Sequence, residues 1–195
     1  MTTSTLDAQP PTGARLTVGS AAPTIAVTNL AGAPVAIPDP AALVHLQFRR
    51  FAGCPVCNLH LRGVAARIDE LRRAGIREVA VFHSAAETMR PFQGDLPFDV
   101  IADPDRALYQ RYGVEQAMRA LLDPRAWGAM IRGVFTRHPW SARTGEGGHL
   151  GLPADVLIGT DGRIRAIKYG AHAADHWSVD ELLALAAAAQ PATAA

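Results

Sequence analysis

Cysteine, lysine and aromatic side chains are all scarce in this sequence of 195 residues. The two cysteines are Cys54 and Cys57, the single lysine is Lys168, and aromatic residues make up 6% of the chain. A larger disulfide framework is therefore excluded. Two cysteines separated by two residues favour catalysis or metal binding over a structural disulfide in a reducing compartment.

Strong charge and long apolar runs are also absent. The formal net charge is +1, which gives no electrostatic case for a nucleic-acid or membrane partner. No stretch approaches the roughly 18–20 apolar residues of a membrane span. Residues 1–15 contain no apolar segment of the roughly 7–15 residues that a signal peptide needs, so we expect a cytoplasmic protein.

The length and composition are those of one globular domain. Hydrophobic residues make up 49% of the sequence and charged residues 19%, which is ordinary for a packed core. We expect a disordered tail at residues 1–15, a folded domain at 16–189 and a second tail at 190–195. Within the domain, residues 114–150 form a predicted insertion with a helix near Trp127–Phe135.

Short apolar segments alternate with helical patterns along this domain. The predicted strands lie at residues 25–27, 34–37, 43–48, 77–83, 98–102, 154–159 and 163–169. The predicted helices lie at 55–74, 85–93 and 105–112, and a last one begins at Ser178. This order predicts an α/β fold with a central mixed sheet flanked by helices, an N-terminal hairpin and a helical insertion before the last hairpin.

The cysteine pair lies where a predicted strand meets a predicted helix. Pro55 suits the first helical position, which makes Cys54 the N-cap, where free backbone N–H groups and the helix dipole stabilise a thiolate. Cys57 begins the apolar stripe of the helix, so we expect it to be buried and close enough to form a disulfide. On this reasoning Cys54 attacks and Cys57 resolves. Arg49 and Arg50 precede the pair, and one of them is expected to face it because neighbouring strand residues point in opposite directions.

Two other interpretations of the cysteine pair need weighing. A zinc site requires two more ligands, and the sequence has no further cysteine, although His60 lies nearby and His172 and His176 are four residues apart. An inert pair buried in the core is the other alternative. We favour redox chemistry over both, with no metal and no organic cofactor.

Two histidines lie on adjacent predicted strands, His45 on the first and His83 at the end of the second. A structural role is the expectation for both. His83 is of more interest, because the end of its strand falls at the same predicted sheet edge as the cysteines.

The sequence resembles the peroxiredoxin-like, CxxC-containing branch of the alkyl hydroperoxide reductase/thiol-specific antioxidant group, within the thioredoxin superfamily. The segments that carry the resemblance are FRRFAGCPVC at residues 48–57, Asp103-Pro104-Asp105, Tyr112-Gly113, Leu152–Ile158 and Asp161-Gly162. The resemblance implies a thioredoxin-like fold and thiol-dependent reduction of peroxides or disulfides. It also implies thioredoxin or a low-molecular-weight thiol as the reductant, and it leaves a homodimer open.

The resemblance implies further roles for single residues. Pro153 matches the cis-proline that faces the redox cysteines in this superfamily. Ordinary peroxiredoxins carry threonine where Cys54 stands and the attacking cysteine where Cys57 stands, so both assignments of the attacking thiolate stay open. Arg49 or Arg50 is the candidate to replace the arginine that helps peroxiredoxins to bind peroxide.

Two functional hypotheses follow. The first is a thiol oxidoreductase that cycles between a Cys54/Cys57 dithiol and a disulfide. The second is a redox-sensing or protein-binding domain that forms the same disulfide without turnover.

Overall fold

The computed structural model describes residues 14–114 and 152–189. The predicted tail at 1–15, apart from its last two residues, and the tail at 190–195 lie outside the described residues. The predicted insertion, apart from Val114, also lies outside them, together with its helix near Trp127–Phe135.

The strands of the described residues form a hairpin and a central sheet. Their bounds are β1 (Ile25–Thr28), β2 (Pro34–Ile37), β3 (Leu43–Phe48), β4 (Ile76–Phe82), β5 (Asp99–Ala102), β6 (Ala154–Ile158) and β7 (Ile164–Tyr169). β1 and β2 pair antiparallel, and the five-stranded sheet has the order β5-β4-β3-β6-β7. The sequence predicted each of these strands to within two residues.

The pairing directions bring the chemistry to one edge of the sheet. β3 pairs parallel with β4, and β4 with β5, whereas β6 runs antiparallel to both β3 and β7. The carboxyl ends of the three parallel strands therefore meet at one edge, where the chain leaves β3 and enters the segment that carries the cysteines. The predicted α/β fold with a central mixed sheet and an N-terminal hairpin is confirmed.

Helices cover both faces of this sheet. Their bounds are α1 (Pro55–Ala66), α2 (Ile68–Arg73), α3 (Ala86–Gln93), α4 (Ala107–Arg111) and α5 (Val179–Ala189). The predicted single helix at 55–74 is instead two helices, separated at Arg67, whose φ of −116° and ψ of 18° are not helical. Arg67 forms ion pairs with Glu70 and with Asp180 of α5. Ile68 stays buried beyond the break, which is why the apolar spacing gave no sign of it.

The core is divided between the two faces of the sheet. One part packs the N-terminal hairpin and α4 against one face of β3 and β4, through residues such as Phe48 and Val81. On the opposite face, α1 and α3 pack against β4 through Ala80 and Phe82, and α2 and α5 pack against Leu157 of β6. Among the helices in the described ranges, none combines the length and the apolar character that crossing a membrane requires.

Candidate active site

Cys54 is the N-cap residue of α1, and its sulfur is the capping atom. Cys54 has an extended backbone (φ −66°, ψ 112°), and α1 begins at the next residue, Pro55. The backbone N–H of Cys57 donates to Cys54 Sγ at 3.5 Å. A side-chain acceptor at this position satisfies one of the free N–H groups of the first helical turn, and the positive end of the helix dipole favours negative charge on it.

The two sulfurs lie in direct contact. Cys57 Sγ donates to Cys54 Sγ across 2.9 Å, and both cysteines are reduced. The exposed fraction is 2% for Cys57 and 0% for Cys54. The three-residue spacing along the helix places the two side chains on the same face, so that a disulfide can form with little movement of the backbone.

The surroundings shift the pKa values of the two thiols in opposite directions. Burial alone would raise the pKa of Cys54, but the hydrogen bond from Cys57, the charge of Arg50 and the backbone N–H groups of Cys57 and Val56 lower it to about 7. Burial raises the pKa of Cys57 well above its ordinary value, and the hydrogen bond and negative charge at Cys54 reinforce this. At neutral pH the pair therefore keeps one proton, which lies on Cys57 Sγ, and the negative charge lies on Cys54 Sγ.

The two consecutive arginines have different partners, as the alternation of a strand predicts. Arg50 Nη1 lies 3.9 Å from Cys54 Sγ, at the outer limit of a hydrogen bond to sulfur. Arg49 Nη2 instead donates to Asp155 Oδ1 of β6 at 2.6 Å. Of the two arginines, Arg50 is therefore the one that places its charge next to the Cys54 sulfur.

Hydrogen bonds to three helices and to Ser84, which follows β4, fix the segment that leads to Cys54. The N–H of Ala52 donates to Ser84 Oγ at 3.1 Å, and its carbonyl accepts from Gln93 Nε2 at 2.7 Å. The same carbonyl accepts from Asn58 Nδ2 of α1 at 3.1 Å. The Tyr109 hydroxyl donates to the carbonyl of Arg49. These contacts position the N-cap before any substrate arrives.

A buried group of charges, which sequence reasoning missed as a group, lies beside the segment. We call His45, Arg49, Glu78 and Asp155 the charge cluster; their exposed fractions are 2% or less. His45 Nδ1 lies 2.9 Å from Glu78 Oε2, and its Nε2 lies 3.3 Å from Asp155 Oδ1. Gln47 joins the cluster by accepting from Arg49 Nε at 2.7 Å and donating to Glu78. The only sequence signal was the occurrence of charged residues inside otherwise apolar strands.

The charge cluster carries matched charges. Burial alone would lower the pKa of His45, but Glu78 and Asp155 raise it to about 9. Burial would raise the pKa of Asp155, but the charge of Arg49 and the contact with His45 hold it far below its ordinary value. Two cations and two carboxylates therefore balance in the interior, as buried ions must.

Two of the three histidines weighed as metal ligands, His60 and His176, lie beside this cluster, whereas His172 Nδ1 accepts from the N–H of Ala174 at 3.3 Å. His60 Nε2 lies 3.1 Å from Arg49 Nη2, and its ring stacks on that of His176 with centroids 3.7 Å apart. Burial, followed by the charge of Arg49, lowers the pKa values of both rings, that of His176 to about 4. Within residues 14–114 and 152–189, no three side chains of His, Cys, Asp or Glu are grouped to hold a metal ion.

Pro153 does not have the predicted geometry. Among the described residues the only cis peptide bond is Ile37–Pro38, so the bond between Leu152 and Pro153 is trans and the predicted cis-proline is wrong. The Pro153 carbonyl accepts from the N–H of Gly170 at 2.8 Å. This bond extends the β6–β7 pairing by one residue and holds the backbone in an extended line, which the ordinary trans isomer satisfies.

His83 lies at the sheet edge where the sequence predicted it. It directly follows β4 and is 3% exposed. Neither ring nitrogen has a hydrogen-bond partner among the described residues. The ring contacts that of Tyr109 edge to face, with centroids 5.7 Å apart.

Fold and site together define a thioredoxin-like domain with a buried dithiol. The family described as AhpC/TSA antioxidant enzyme matches residues 64–172, which is more than half of the chain. The chain belongs to this family, and membership supports a thiol-based redox function. The matched region begins after Cys54 and Cys57, so it covers the scaffold rather than the sulfurs.

Solved structures show the same fold at low sequence identity. Peroxidoxin BcpB from Mycobacterium tuberculosis is 14% identical, with a TM-score of 0.63 over 89% of this chain and 98% of that one. A peroxiredoxin-like protein from Aquifex aeolicus is 13% identical, with a TM-score of 0.65 over 92% and 91%. A putative thiol:disulfide interchange protein DsbE from Chlorobium tepidum is 19% identical, with a TM-score of 0.59 over 89% and 98%. No curated protein matches the sequence.

Proposed function

We propose that this protein is a thiol–disulfide oxidoreductase of peroxiredoxin-like type, which cycles between a Cys54/Cys57 dithiol and a disulfide to reduce peroxides or disulfides. Cys54 is the attacking thiolate and Cys57 the resolving thiol. The observation that carries the proposal is the 2.9 Å contact in which the Cys57 thiol donates to a Cys54 sulfur that caps α1.

The protonation pattern favours Cys54 over Cys57 as the nucleophile. A thiolate, not a thiol, attacks peroxides and disulfides. With a pKa of about 7, Cys54 is substantially ionised at neutral pH, whereas Cys57, whose pKa is raised, keeps its proton. A thiol whose pKa lies near the ambient pH combines ionisation with nucleophilicity. This supports the helix-cap assignment over the ordinary peroxiredoxin assignment, in which Cys57 would attack.

With a peroxide, the proposed cycle has two steps. The Cys54 thiolate attacks one peroxide oxygen, the O–O bond breaks, and the second oxygen leaves as an alcohol or water after it takes up a proton. Cys54 is then a sulfenic acid. Cys57 Sγ attacks Cys54 Sγ, which forms the disulfide and releases water. Two electrons have passed from the dithiol to the peroxide.

With a disulfide, the same sulfurs act in the same order. Cys54 attacks one sulfur of the substrate, giving a mixed disulfide and a leaving thiolate. Cys57 loses its proton and attacks Cys54 Sγ, which releases the second thiol and leaves the Cys54–Cys57 disulfide. Reduction by thioredoxin or a low-molecular-weight thiol restores the dithiol in either cycle.

The remaining roles belong to the surroundings of the pair. Arg50 stabilises the thiolate from 3.9 Å, and Arg49 is assigned to the charge cluster rather than to substrate. Pro153, in its trans form, is assigned to strand pairing rather than to substrate contact. The proposed location is the cytoplasm, where glutathione and thioredoxin keep such a dithiol reduced. A folded domain at 16–189 remains a prediction. A homodimer also remains a prediction.

Single-cysteine variants test the proposal. We expect Cys54→Ser to abolish turnover with hydrogen peroxide and with oxidised glutathione, because it removes the nucleophile. Cys57→Ser should still react once and then stop, as a Cys54 sulfenic acid or a trapped mixed disulfide that mass spectrometry detects. The double variant with serine at both positions has no thiol left, since the chain has two cysteines, and it serves as the blank.

The opposite pattern would contradict the assignment. If Cys57→Ser is inert and Cys54→Ser is trapped, the ordinary peroxiredoxin assignment holds. If the wild-type protein forms its disulfide reversibly but none of the reductants supports turnover, the protein is a redox sensor rather than an enzyme.

A further inference from the structure

The Tyr109 hydroxyl ties together the ends of the adjacent strands β3 and β4. Its side chain comes from α4 and is 6% exposed. The hydroxyl donates to the carbonyl of Arg49, directly after β3, and lies 2.9 Å from the carbonyl of Val81 in β4. The Val81 carbonyl also accepts from the N–H of Arg49 at 2.8 Å. One hydroxyl therefore fixes the point at which β3 passes into the cysteine segment.

The carbonyl that Tyr109 holds belongs to the peptide that joins Arg49 to Arg50. A peptide unit is planar, so holding its oxygen also holds its N–H and the Cα of the next residue. The Arg50 side chain starts from that Cα, and its Nη1 lies 3.9 Å from Cys54 Sγ. Because this distance is at the outer limit of a hydrogen bond to sulfur, the contact depends on how closely the start of the side chain is held.

Arg50 acts on both sulfurs from this anchored peptide. Burial raises the pKa of Cys54, whereas the hydrogen bond from Cys57 and the charge of Arg50 lower it to about 7. Burial and the neighbouring Cys54 sulfur raise the pKa of Cys57, and the charge and the backbone N–H of Arg50 oppose that rise. This N–H belongs to the same peptide whose carbonyl Tyr109 holds, so both thiols depend on the position of one peptide unit.

We infer that Tyr109 is a positioning residue of the redox site, whose hydroxyl holds the Arg49–Arg50 peptide so that the Arg50 guanidinium stays beside Cys54 Sγ. Burial raises the pKa of Tyr109 well above its ordinary value, so the hydroxyl keeps the proton that it donates at neutral pH. The inference rests on the proposed function, in which Cys54 attacks as a thiolate. It names the side chain that keeps the stabilising cation in place.

Tyr112 provides a matched control for Tyr109. It directly follows α4, is 0% exposed, and its hydroxyl donates to the carbonyl of Pro23 at 2.6 Å. Both tyrosine rings pack against Phe48, with centroid distances of 5.0 Å for Tyr109 and 5.1 Å for Tyr112. Each hydroxyl therefore serves a backbone carbonyl, but Pro23 belongs to the segment before β1 rather than to the cysteine segment.

The pH profile of alkylation compares Tyr109→Phe with Tyr112→Phe. Reduced protein reacts with iodoacetamide across the neutral pH range, and mass spectrometry follows the modification of Cys54. We expect the midpoint for Tyr109→Phe to rise by about 0.3–0.5 pH units, which slows alkylation below the midpoint about two- to threefold. Tyr112→Phe should keep the wild-type midpoint. Both variants should unfold at a lower urea concentration, because each leaves a carbonyl without its donor.

A second comparison tests whether Tyr109 acts through Arg50. In the Arg50→Met background the guanidinium is gone, so adding Tyr109→Phe should leave the midpoint where Arg50→Met alone puts it. Such non-additivity is expected when two residues share one effect. The inference is overturned if Tyr109→Phe does not move the wild-type midpoint or if Tyr112→Phe moves it equally. It is also overturned if Tyr109→Phe moves the midpoint as far in the Arg50→Met background as in the wild type.

The comparison requires folded variants. Tyr109→Phe keeps the ring and therefore its contacts with Phe48 and His83, so we expect it to fold. If urea unfolding shows a partly unfolded population, all profiles are recorded in trimethylamine N-oxide, which favours the folded state. The same outcomes then decide.

Alkylation requires no turnover, so the two proposals can fail separately. Identical profiles for wild type and Tyr109→Phe, in a protein that turns over hydrogen peroxide or oxidised glutathione, would overturn the role of Tyr109 alone. A shifted profile for Tyr109→Phe, in a protein that turns over neither compound, would overturn the oxidoreductase and support the anchoring of Arg50.

Discussion

His45 and His83 lie on adjacent parallel strands or directly after them, yet their surroundings are opposite. His45, in β3, contacts carboxylates on both sides, Glu78 at 2.9 Å and Asp155 at 3.3 Å. His83, directly after β4, bonds to none of the described residues through its ring nitrogens. The pKa of His83 is lowered to about 4, whereas the pKa of His45 is raised to about 9. The first ring is a buried cation whose charge two carboxylates balance, and the second is a buried neutral ring.

The consecutive arginines repeat this contrast. Arg49 is held by Asp155, whereas Arg50 donates toward the sulfur of Cys54. Side chains that already have strong partners inside the protein stabilise the fold, and those directed at a reactive atom are available for chemistry. Arg49 therefore serves stability and Arg50 serves reactivity. Their side chains point in opposite directions because the alternation of an extended strand continues beyond β3.

The largest expected effect is on stability, from Asp155→Asn. This variant leaves Arg49 and His45 without their shared carboxylate in the interior, and breaking a buried pair in this way costs about 3–5 kcal/mol. Urea unfolding measures the loss in the free energy of unfolding. Asp95→Asn is the matched control, because Asp95 pairs with Arg62 at 2.7 Å but is 67% exposed; it should cost nothing measurable. Equal effects of the two would remove the distinction between buried and exposed pairs.

The next effect separates Arg50 from Arg49. Arg50→Met removes the cation that helps to lower the pKa of Cys54, so the thiolate fraction at pH 7 falls. Alkylation by iodoacetamide at that pH should slow about three- to tenfold, since one pKa unit corresponds to tenfold in ionisation below the pKa. Arg49→Met should lower stability while changing the alkylation rate less. A slower reaction in Arg49→Met than in Arg50→Met would reverse the assignment of the two side chains.

The smallest effect is a displacement of a pH profile. Only the thiolate is alkylated, so the rate for reduced wild-type protein should rise with pH around a midpoint set by a Cys54 pKa of about 7. Cys57→Ala removes the hydrogen bond that lowers the pKa of Cys54, which moves the midpoint to higher pH. Cys57→Ser keeps a hydroxyl donor and should stay closer to the wild type. Identical profiles for the two variants would show that the hydrogen bond from Cys57 does not govern ionisation.

Local patterns predicted most of the framework of the site. Pro55 at the first helical position, Cys54 as the N-cap and a last helix that begins next to Ser178 are all present. These features depend on a few neighbouring residues, which a sequence displays directly. The opposite directions of Arg49 and Arg50 also follow from local geometry, but which one faces Cys54 depends on the twist and termination of β3.

Long-range features were beyond such patterns. Glu78 and Asp155 lie in different strands, and nothing near either residue shows that both contact His45. The peptide bond before Pro153 is trans, and the Pro153 carbonyl accepts from the N–H of Gly170, which lies beyond the next strand in the sequence. Whether His83 has hydrogen-bond partners is likewise decided by residues far away in sequence, so the pattern indicated its location but not its isolation.

The ion pair between Arg49 and Asp155 has a consequence for how the chain folds. The two residues are 106 positions apart, and Leu16 bonds to Tyr169 across 153 positions. Contacts this distant in sequence close large loops before they stabilise anything, which slows folding. During synthesis on the ribosome, β3 and the buried Arg49 that follows it emerge long before β6, whose Asp155 neutralises this arginine. The centre of the sheet can therefore be completed only after β6 has been made.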